Sequence, residues 1–164
     1  MESSGSADSR NKVWRLVKDM KVAMFVTRDA SGAVSARPMP AVNRDFADRL
    51  WFMTAASSPS LVDLRESAQA LVAYAEPRDH AYVTVRGRAR VVSDSEKIRE
   101  LWSEAARAWF PAGPDKSDIA LIEVMVESAE YWDGPSAAMV EAYRCAEARS
   151  SGAPSDHGGK APCD

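Results

Sequence analysis

The chain has 164 residues, of which 46% are hydrophobic and 27% are charged, and its formal net charge is −3. This length suits one domain with a buried core, and the small negative charge argues against a general attraction to nucleic acid or anionic membranes. The sequence has no apolar run of about 18 residues, the minimum for a membrane-spanning helix. Residues 1–10 also lack the pattern of a signal peptide. We therefore expect a cytoplasmic protein that binds neither nucleic acid nor a membrane.

The two ends of the chain differ in composition from its middle. Residues 1–8 are small and polar, and residues 146–164 are rich in Gly, Pro, Ser and Ala, so we expect a disordered N-terminus and a flexible tail. One domain is therefore predicted over residues 9–145. The two cysteines, Cys145 and Cys163, have no histidine nearby at ligand spacing, which predicts neither a disulfide framework nor a zinc site.

The first half of this domain is predicted to contain two helices and three strands. Apolar residues recur at helical spacing from Val13 to Met20, which predicts a helix beginning near Ser9. Further along, Ser58 is a suitable N-cap and Pro59 a suitable first residue for a short helix. The segments after the first helix are the strand “KVAMFVTR” (21–28), the turn “DASG” (29–32), the strands “AVSARPM” (33–39) and “RLWFMT” (49–54), and the helix “SPSLVDLRES” (58–67).

The second half is predicted to contain two strands, a helix and one or two closing strands. In the fifth strand, alternation places a row of small and apolar residues on one face and Arg86, Arg88 and Arg90 on the other. Ser93 and Glu96 have the spacing of a capping box that opens the helix. The segments are “ALVAYAEP” (70–77), “AYVTVRGRARVV” (81–92), the helix over 93–110 with a buried stripe of Ile98, Leu101, Trp102, Ala105 and Trp109, and “IALIEVMVESAEYWDG” (119–134).

The predicted fold class is mainly β. Six or seven strands, largely adjacent in sequence and apolar on at least one face, favour a small β-barrel with flanking helices, because closure removes the exposed strand edges. An open α+β sheet is the alternative.

Familiar catalytic motifs are absent from the sequence. It contains no G-x-S-x-G, no phosphate-binding loop and no G-x-G-x-x-G. His80 stands beside Asp79 without the spacing of a catalytic triad, His157 lies in the tail, and no three ligands cluster for a metal. The arginine face of the fifth strand is interpreted as a solvated sheet face, and Trp102 as a core residue.

Two segments have the chemistry of an anion site. Arg37 precedes Pro38, which places this strand at an edge, a bulge or a strand end and allows the guanidinium to grip an anion. The second segment gathers hydroxyl groups at a helix N-terminus, where the free N–H groups and the helix dipole favour a phosphate. The alternative is an ordinary N-cap and a surface arginine. The hydroxyl groups are those of Thr54, Ser57, Ser58 and Ser60.

Six stretches follow one another in an order typical of one family: “KVAMFVTRDASG”, “ARPM”, “LWFMTAASSPSL”, “VTVRGRARVVSD”, “LWSEAARAWFPAG” and “EYWDGPS”. The chain resembles the pyridoxamine 5′-phosphate oxidase-like family of FMN-binding split barrels, in particular its small bacterial general stress proteins. The resemblance covers about residues 10–140. It implies a six-stranded antiparallel barrel, a homodimer, and FMN bound in a groove at the dimer interface.

The resemblance also implies roles for individual residues. Arg37, with Pro38 and Met39 of the R-P-M motif, would lie along the flavin, with the guanidinium at the phosphate or ribityl chain. Phe52 and Thr54 match the strand end that meets the flavin. Ser58 matches the serine that binds the phosphate. Trp109 and Trp132 match aromatic residues near the groove that the second subunit supplies.

Two positions depart from the family pattern. Ser60 stands where the family usually has a lysine that pairs with the phosphate, and Ala36 stands where this branch usually has a serine. Losing one cation weakens phosphate binding by an amount on the order of 1–3 kcal/mol. The added hydroxyl groups can offset the loss. Otherwise the affinity for FMN is poor, or the pocket prefers FAD or a deazaflavin.

Three functions follow from the resemblance. The first is a flavin-dependent oxidoreductase of unknown substrate, in which the flavin performs the redox chemistry. The second is a non-catalytic flavin carrier or sensor. The third is a degenerate barrel with an empty site. Oxidation of pyridoxamine phosphate itself is not favoured, because a polar tail replaces the C-terminal extension of the true oxidases.

Overall fold

The structure, a computed structural model, describes residues 3–134. The predicted tail, Cys145, Cys163 and His157 lie outside this part of the chain. The elements are α1 (Ser3–Val17), β1 (Val22–Arg28), β2 (Val34–Pro40), β3 (Arg49–Ala55), α2 (Pro59–Glu66), β4 (Gln69–Glu76), β5 (Ala81–Val92), α3 (Ser95–Leu101), a 3-10 helix (Glu104–Ala108) and β6 (Ile119–Asp133).

The strands form one antiparallel six-stranded sheet in the order β2-β1-β4-β5-β6-β3. Its two edge strands approach each other, because Ala41 just beyond β2 bridges to Phe52 of β3. Next to this bridge the Val42 N–H donates to the Trp51 carbonyl at 2.9 Å. The sheet therefore curls into a half-barrel, which confirms the predicted β-barrel and not the open sheet. The closing segment is one long strand, β6.

The core lies on the concave side of the sheet and is covered by α1 and α2. Phe25 of β1 and Phe52 of β3 are fully buried there and pack edge to face, with ring centroids 5.2 Å apart. Val17 and Leu64 contribute the apolar sides of the two helices. A second, smaller cluster on the convex side packs α3 and the 3-10 helix against β3 and β6.

The long strands β5 and β6 are joined across a bulge. Their register shifts between Arg86 and Gly87, so one residue of β6 has no partner. A Cβ on Gly87 would lie 2.2 Å from the backbone oxygen of Met125. Glycine is therefore required here because the two backbones approach too closely for any side chain.

The predicted N-terminal helix is present with different bounds. It begins at Ser3 and ends at Val17, whereas the prediction placed it between Ser9 and Met20. Val13 and Val17, two residues of its predicted stripe, are buried against the sheet.

The predicted helix over 93–110 is wrong in two respects. Asp94 caps α3 in place of Ser93, and its carboxylate accepts hydrogen bonds from the N–H groups of Glu96 and Lys97 at 2.9 and 3.2 Å. The helix then stops, because Trp102 adopts an extended backbone with φ −62° and ψ 138°.

The break in this helix rotates the residues that follow it. Ala106 of the 3-10 helix is buried, whereas Ala105, predicted to be in the stripe, is exposed. Trp109 is 48% exposed. Of the predicted buried stripe, the two residues that precede the break at Trp102, Ile98 and Leu101, are buried as predicted.

Candidate functional site

Arg37 lies on the edge strand β2, opposite Phe25 of β1. Its neighbour Pro38 is exposed and occupies a position at which the sheet has no further strand. This agrees with the prediction that a proline in this strand requires an edge. The side chain of Arg37 is only partly exposed and turns toward α2.

Asp63, one turn into α2, joins the arginine to the helix. Its Oδ2 lies 3.7 Å from Nη2 of Arg37 and accepts a 2.7 Å hydrogen bond from the Thr27 hydroxyl. The arginine side chain is 26% exposed and the aspartate side chain 15%. The contact places the guanidinium beside the second turn of α2.

The start of α2 differs in detail from a simple cluster of hydroxyl groups. Ser58 is the N-cap, but its side chain makes no capping hydrogen bond. Its hydroxyl instead bonds to that of Ser60 at 2.7 Å, and Ser60 is fully buried. Because Pro59 has no N–H, Ser60 supplies the first backbone amide of the helix. Ser58 and the exposed Ser57 are therefore the accessible hydroxyl groups at this end.

Three further predicted residues lie on the same strands with different accessibility. Met39 and Phe52 point into the core and are at most 2% exposed, so only their backbones can meet a ligand. Thr54 is half-buried near the end of β3, just before the loop that leads to Ser58. Within one chain, the structure brings Arg37 and α2 together and places Thr54 on the strand that leads into this helix.

The two predicted tryptophans lie elsewhere in the chain. Trp132 pairs with Tyr82 near the end of β6, a strand that does not pair with β2. Trp109 lines a cavity beside the first residues of β1, whereas Arg37 lies beside α2. Neither indole belongs to the Arg37 site of its own chain.

Two residues of this site, Thr27 and Asp63, are not predicted by the sequence patterns. Strand alternation places Thr27 on the same inward face as Phe25, and it is 2% exposed, so a buried hydroxyl between apolar neighbours was the available signal. The sequence around Asp63 gives no comparable indication, because carboxylates are common in short surface helices. Asp63 contacts Arg37 and Thr27 only because the curl of the sheet brings α2 against β1 and β2.

Other classes of site find no support in the described residues. Between residues 3 and 134, no group of three or more His, Cys, Asp or Glu side chains is placed to hold a metal ion. None of the helices in that range is long and apolar enough to cross a membrane. His80 is exposed in the turn before β5, at φ 51°.

Comparison with known proteins yields one family and a set of similar structures. A sequence model of the family described as pyridoxamine 5′-phosphate oxidase like matches residues 8–156. No curated protein matches the chain.

Three solved structures illustrate the similarity of fold. A Clostridium acetobutylicum protein related to general stress protein 26 of Bacillus subtilis has a TM-score of 0.68 at 18% identity, covering 77% of this chain and 89% of its own. General stress protein 26 of Bacillus anthracis has a TM-score of 0.66 at 19% identity, with coverages of 78% and 95%. The general stress FMN/FAD binding protein of Xanthomonas citri has a TM-score of 0.67 at 22% identity, with coverages of 80% and 92%. All three share the split-barrel fold described above.

Proposed function

Because the chain belongs to the pyridoxamine 5′-phosphate oxidase-like family, we propose that it binds a flavin nucleotide between Arg37 and the start of α2, with FMN as the preferred form. One observation carries this proposal. The guanidinium of an edge-strand arginine lies 3.7 Å from the Asp63 carboxylate in the second turn of α2, so the arginine packs against the helix whose start carries the hydroxyl groups. A similar structure is named as an FMN/FAD binding protein, which agrees with a flavin as the ligand.

The residues present suit a phosphate group. An arginine can donate two parallel hydrogen bonds to phosphate oxygens. The Ser58 hydroxyl can donate from the helix side, where the helix dipole also favours negative charge. The chain's role is to hold and orient the flavin, which supplies the hydride or electron transfer when bound.

The charge balance of this site predicts modest affinity. Arg37 is its one described cation, and Asp63 already partly neutralises it. Ser60 stands where the family usually has a lysine, and its side chain is buried beneath Ser58. A phosphate must therefore compete with a carboxylate for the guanidinium. This is why FAD and a deazaflavin remain alternatives, since contacts to the rest of such a ligand can offset a weak phosphate grip.

The proposed activity is that of a flavin-dependent oxidoreductase, and a non-catalytic flavin carrier or sensor is the second candidate. The second is favoured by the shortage of proton-transfer groups. The carboxylate beside Arg37, Asp63, already accepts a hydrogen bond from the Thr27 hydroxyl. Purified protein loaded with FMN should be bleached by NADH or NADPH and recover its colour in air if it is an oxidoreductase, and should stay yellow if it is a carrier.

We also propose a homodimer, in which Trp109 and Trp132 of the second copy lie at the flavin groove. Apolar side chains exposed on the convex face of the first hairpin support this assembly, because such a face is typical of a subunit contact. They are Val22, Met24 and Val34. Sedimentation equilibrium measures the mass directly, and a monomer at micromolar concentration would contradict this part of the proposal.

The main test compares Arg37→Ala with Arg88→Ala. Arg88 is an exposed arginine on β5 and serves as the matched control. Loss of one charge-assisted contact to phosphate costs about 1.5–3 kcal/mol, so Arg37→Ala should weaken FMN binding by about 10- to 150-fold. Arg88→Ala should leave it unchanged. Quenching of flavin fluorescence during titration gives both dissociation constants.

A third variant tests the competing carboxylate. Asp63→Asn keeps a hydrogen-bond acceptor for Thr27 but removes the negative charge beside Arg37. It should therefore bind FMN more tightly than the wild type. Equal effects of Arg37→Ala and Arg88→Ala, or weaker binding by Asp63→Asn at unchanged thermal stability, would count against the site.

A further inference from the structure

A cavity lies at the end of the half-barrel opposite α2. It is about 370 Å³ in volume and opens between the end of α1, the first residues of β1 and the 3-10 helix. Val22 lines it, whereas Thr27, which bonds to α2, lies five residues further along the same strand. At the rise of a β-strand this separation is about 17 Å. The cavity is therefore distinct from the anion site beside Arg37.

The interior of this cavity is apolar and partly aromatic. Trp14 of α1 and Tyr74 of β4 line it together with Leu50 and Leu101, and Trp109 stands at its exposed side. Its volume falls within the range of ligand pockets, about 300–1,000 Å³. A flat ring system fits such a lining, because aromatic side chains gain contact and stacking energy from another ring.

Tyr74 supplies one polar group within the apolar part. The residue is 3% exposed, and its hydroxyl has no hydrogen-bond partner within residues 3–134. In that range, every side-chain nitrogen or oxygen without a hydrogen-bond partner keeps some accessible surface. The Tyr74 hydroxyl therefore has accessible surface too, and we infer that it faces the cavity that the residue lines. Burial also raises the pKa of Tyr74 well above its usual value, which keeps it a hydrogen-bond donor at physiological pH.

The rim of the cavity is cationic. Lys18, Lys21 and Arg44 line it, and no aspartate or glutamate does. Within the described residues, neither lysine has a carboxylate within salt-bridge distance; the side chain of Arg44 donates to the Trp102 carbonyl at 3.3 Å. Three positive charges around an apolar interior attract a ligand that has one anionic end.

We propose that this cavity binds an organic anion with a flat apolar ring system, the acidic group lying at the lysine rim and the ring between Trp14 and Tyr74. The site goes beyond the flavin proposal and does not depend on it. Its chemistry is common to aromatic carboxylates and aryl phosphates. The Tyr74 hydroxyl donates to a polar substituent of the ring or to the acidic group itself.

The experiment uses the full chain and three small molecules that share a naphthalene ring and differ in the group attached to it. 2-Naphthoate and 2-naphthyl phosphate carry an anionic group, and 2-naphthamide is the neutral counterpart. Isothermal titration calorimetry should show that at least one anion binds about tenfold or more tightly than the amide, as expected for charge-assisted contacts. The preference between the carboxylate and the phosphate identifies which acidic group the rim suits.

Two variants locate the binding. Lys18→Ala combined with Lys21→Ala should reduce the affinity for the preferred anion about tenfold and leave the amide unchanged, whereas Lys116→Ala, an exposed lysine outside the cavity, should change neither. Tyr74→Phe should weaken the binding of the anion several-fold. Thermal unfolding of each variant checks that the fold is intact.

Three results would overturn the proposal. The first is no binding of any probe at millimolar concentration. The second is equal affinity for the anions and the amide, or no response to the double lysine substitution. The third is displacement of the probe by FMN, which would make the cavity part of the flavin site. Binding of the anion together with a failure to bind FMN would sustain this site and reject the flavin proposal, so the two can fail separately.

Discussion

Glu123 offers a test of the electrostatics of the convex face. Its carboxylate is fully buried on β6 between two neighbouring strands. Arg49 of β3 donates to Oε1 at 2.5 Å, and the Nε of Arg90 of β5 donates to Oε2. The two arginine side chains are 51% and 64% exposed. This cluster of three side chains is therefore asymmetric: the buried anion depends on the two arginines for stabilisation, whereas the arginines retain contact with water.

This asymmetry predicts unequal costs for removing the two sides. Arg49→Met together with Arg90→Met keeps the aliphatic stems but leaves the buried carboxylate without a cation. Breaking a buried ion pair in this way costs about 3–5 kcal/mol. Glu123→Met instead removes the buried charge and leaves two arginines that water can solvate. A hydrophobic replacement of similar volume is often neutral, so we expect a change of about 1 kcal/mol or less.

Urea unfolding at pH 7, followed by tryptophan fluorescence, measures both free energies of unfolding. If the slope m is the same for all variants, the shifts of the midpoint report changes in stability alone. The triple variant with Met at all three positions should recover most of the stability that the double arginine variant loses, since the interaction within the pair is not additive. If Glu123→Met is as destabilising as the double arginine variant, the reasoning from exposure is wrong.

Two further predictions concern the sheet and its first turn. Gly87→Ala should destabilise the protein by about 3 kcal/mol or prevent folding, because its Cβ would lie 2.2 Å from the Met125 oxygen; a thermal midpoint within a degree of the wild type would contradict the close approach. In the β1–β2 turn, the hydrogen bond from the Ser31 side chain lowers the pKa of Asp29. Its contribution to stability is present above the pKa of the unfolded chain and lost as the pH falls through the lower, folded value. NMR titration of the Asp29 carboxyl carbon should give a midpoint below that of an ordinary aspartate, and Ser31→Ala should raise it.

Local patterns predicted most of the strands. The alternation in β5 placed Val83 and Val85 on the buried face and the arginines on the exposed face, as the structure shows. Turn chemistry between β1 and β2 predicted the hairpin, and Pro59 predicted the start of α2. These features were predictable because each depends on residues a few positions apart.

The region after β5 shows where local patterns fail. Ser93 and Asp94 are both good N-cap residues, and their local sequence does not decide between them. β5 ends at Val92, paired with Leu121, as predicted, but α3 begins one residue later than the capping box suggested. After the break at Trp102 the chain packs against the convex face through Ala106, a tertiary contact that helical periodicity does not predict.

The sequence by itself determined the strands, their buried faces, the hairpin and the family resemblance, because these depend on the order of residue types along the chain. Only the tertiary structure decided which polar side chains meet. The curl of the sheet brings Arg37 to Asp63 and Thr27, and strand order brings Arg49 and Arg90 to Glu123. Such contacts join residues distant in sequence, so they follow from the register and curvature of the sheet and from no local pattern.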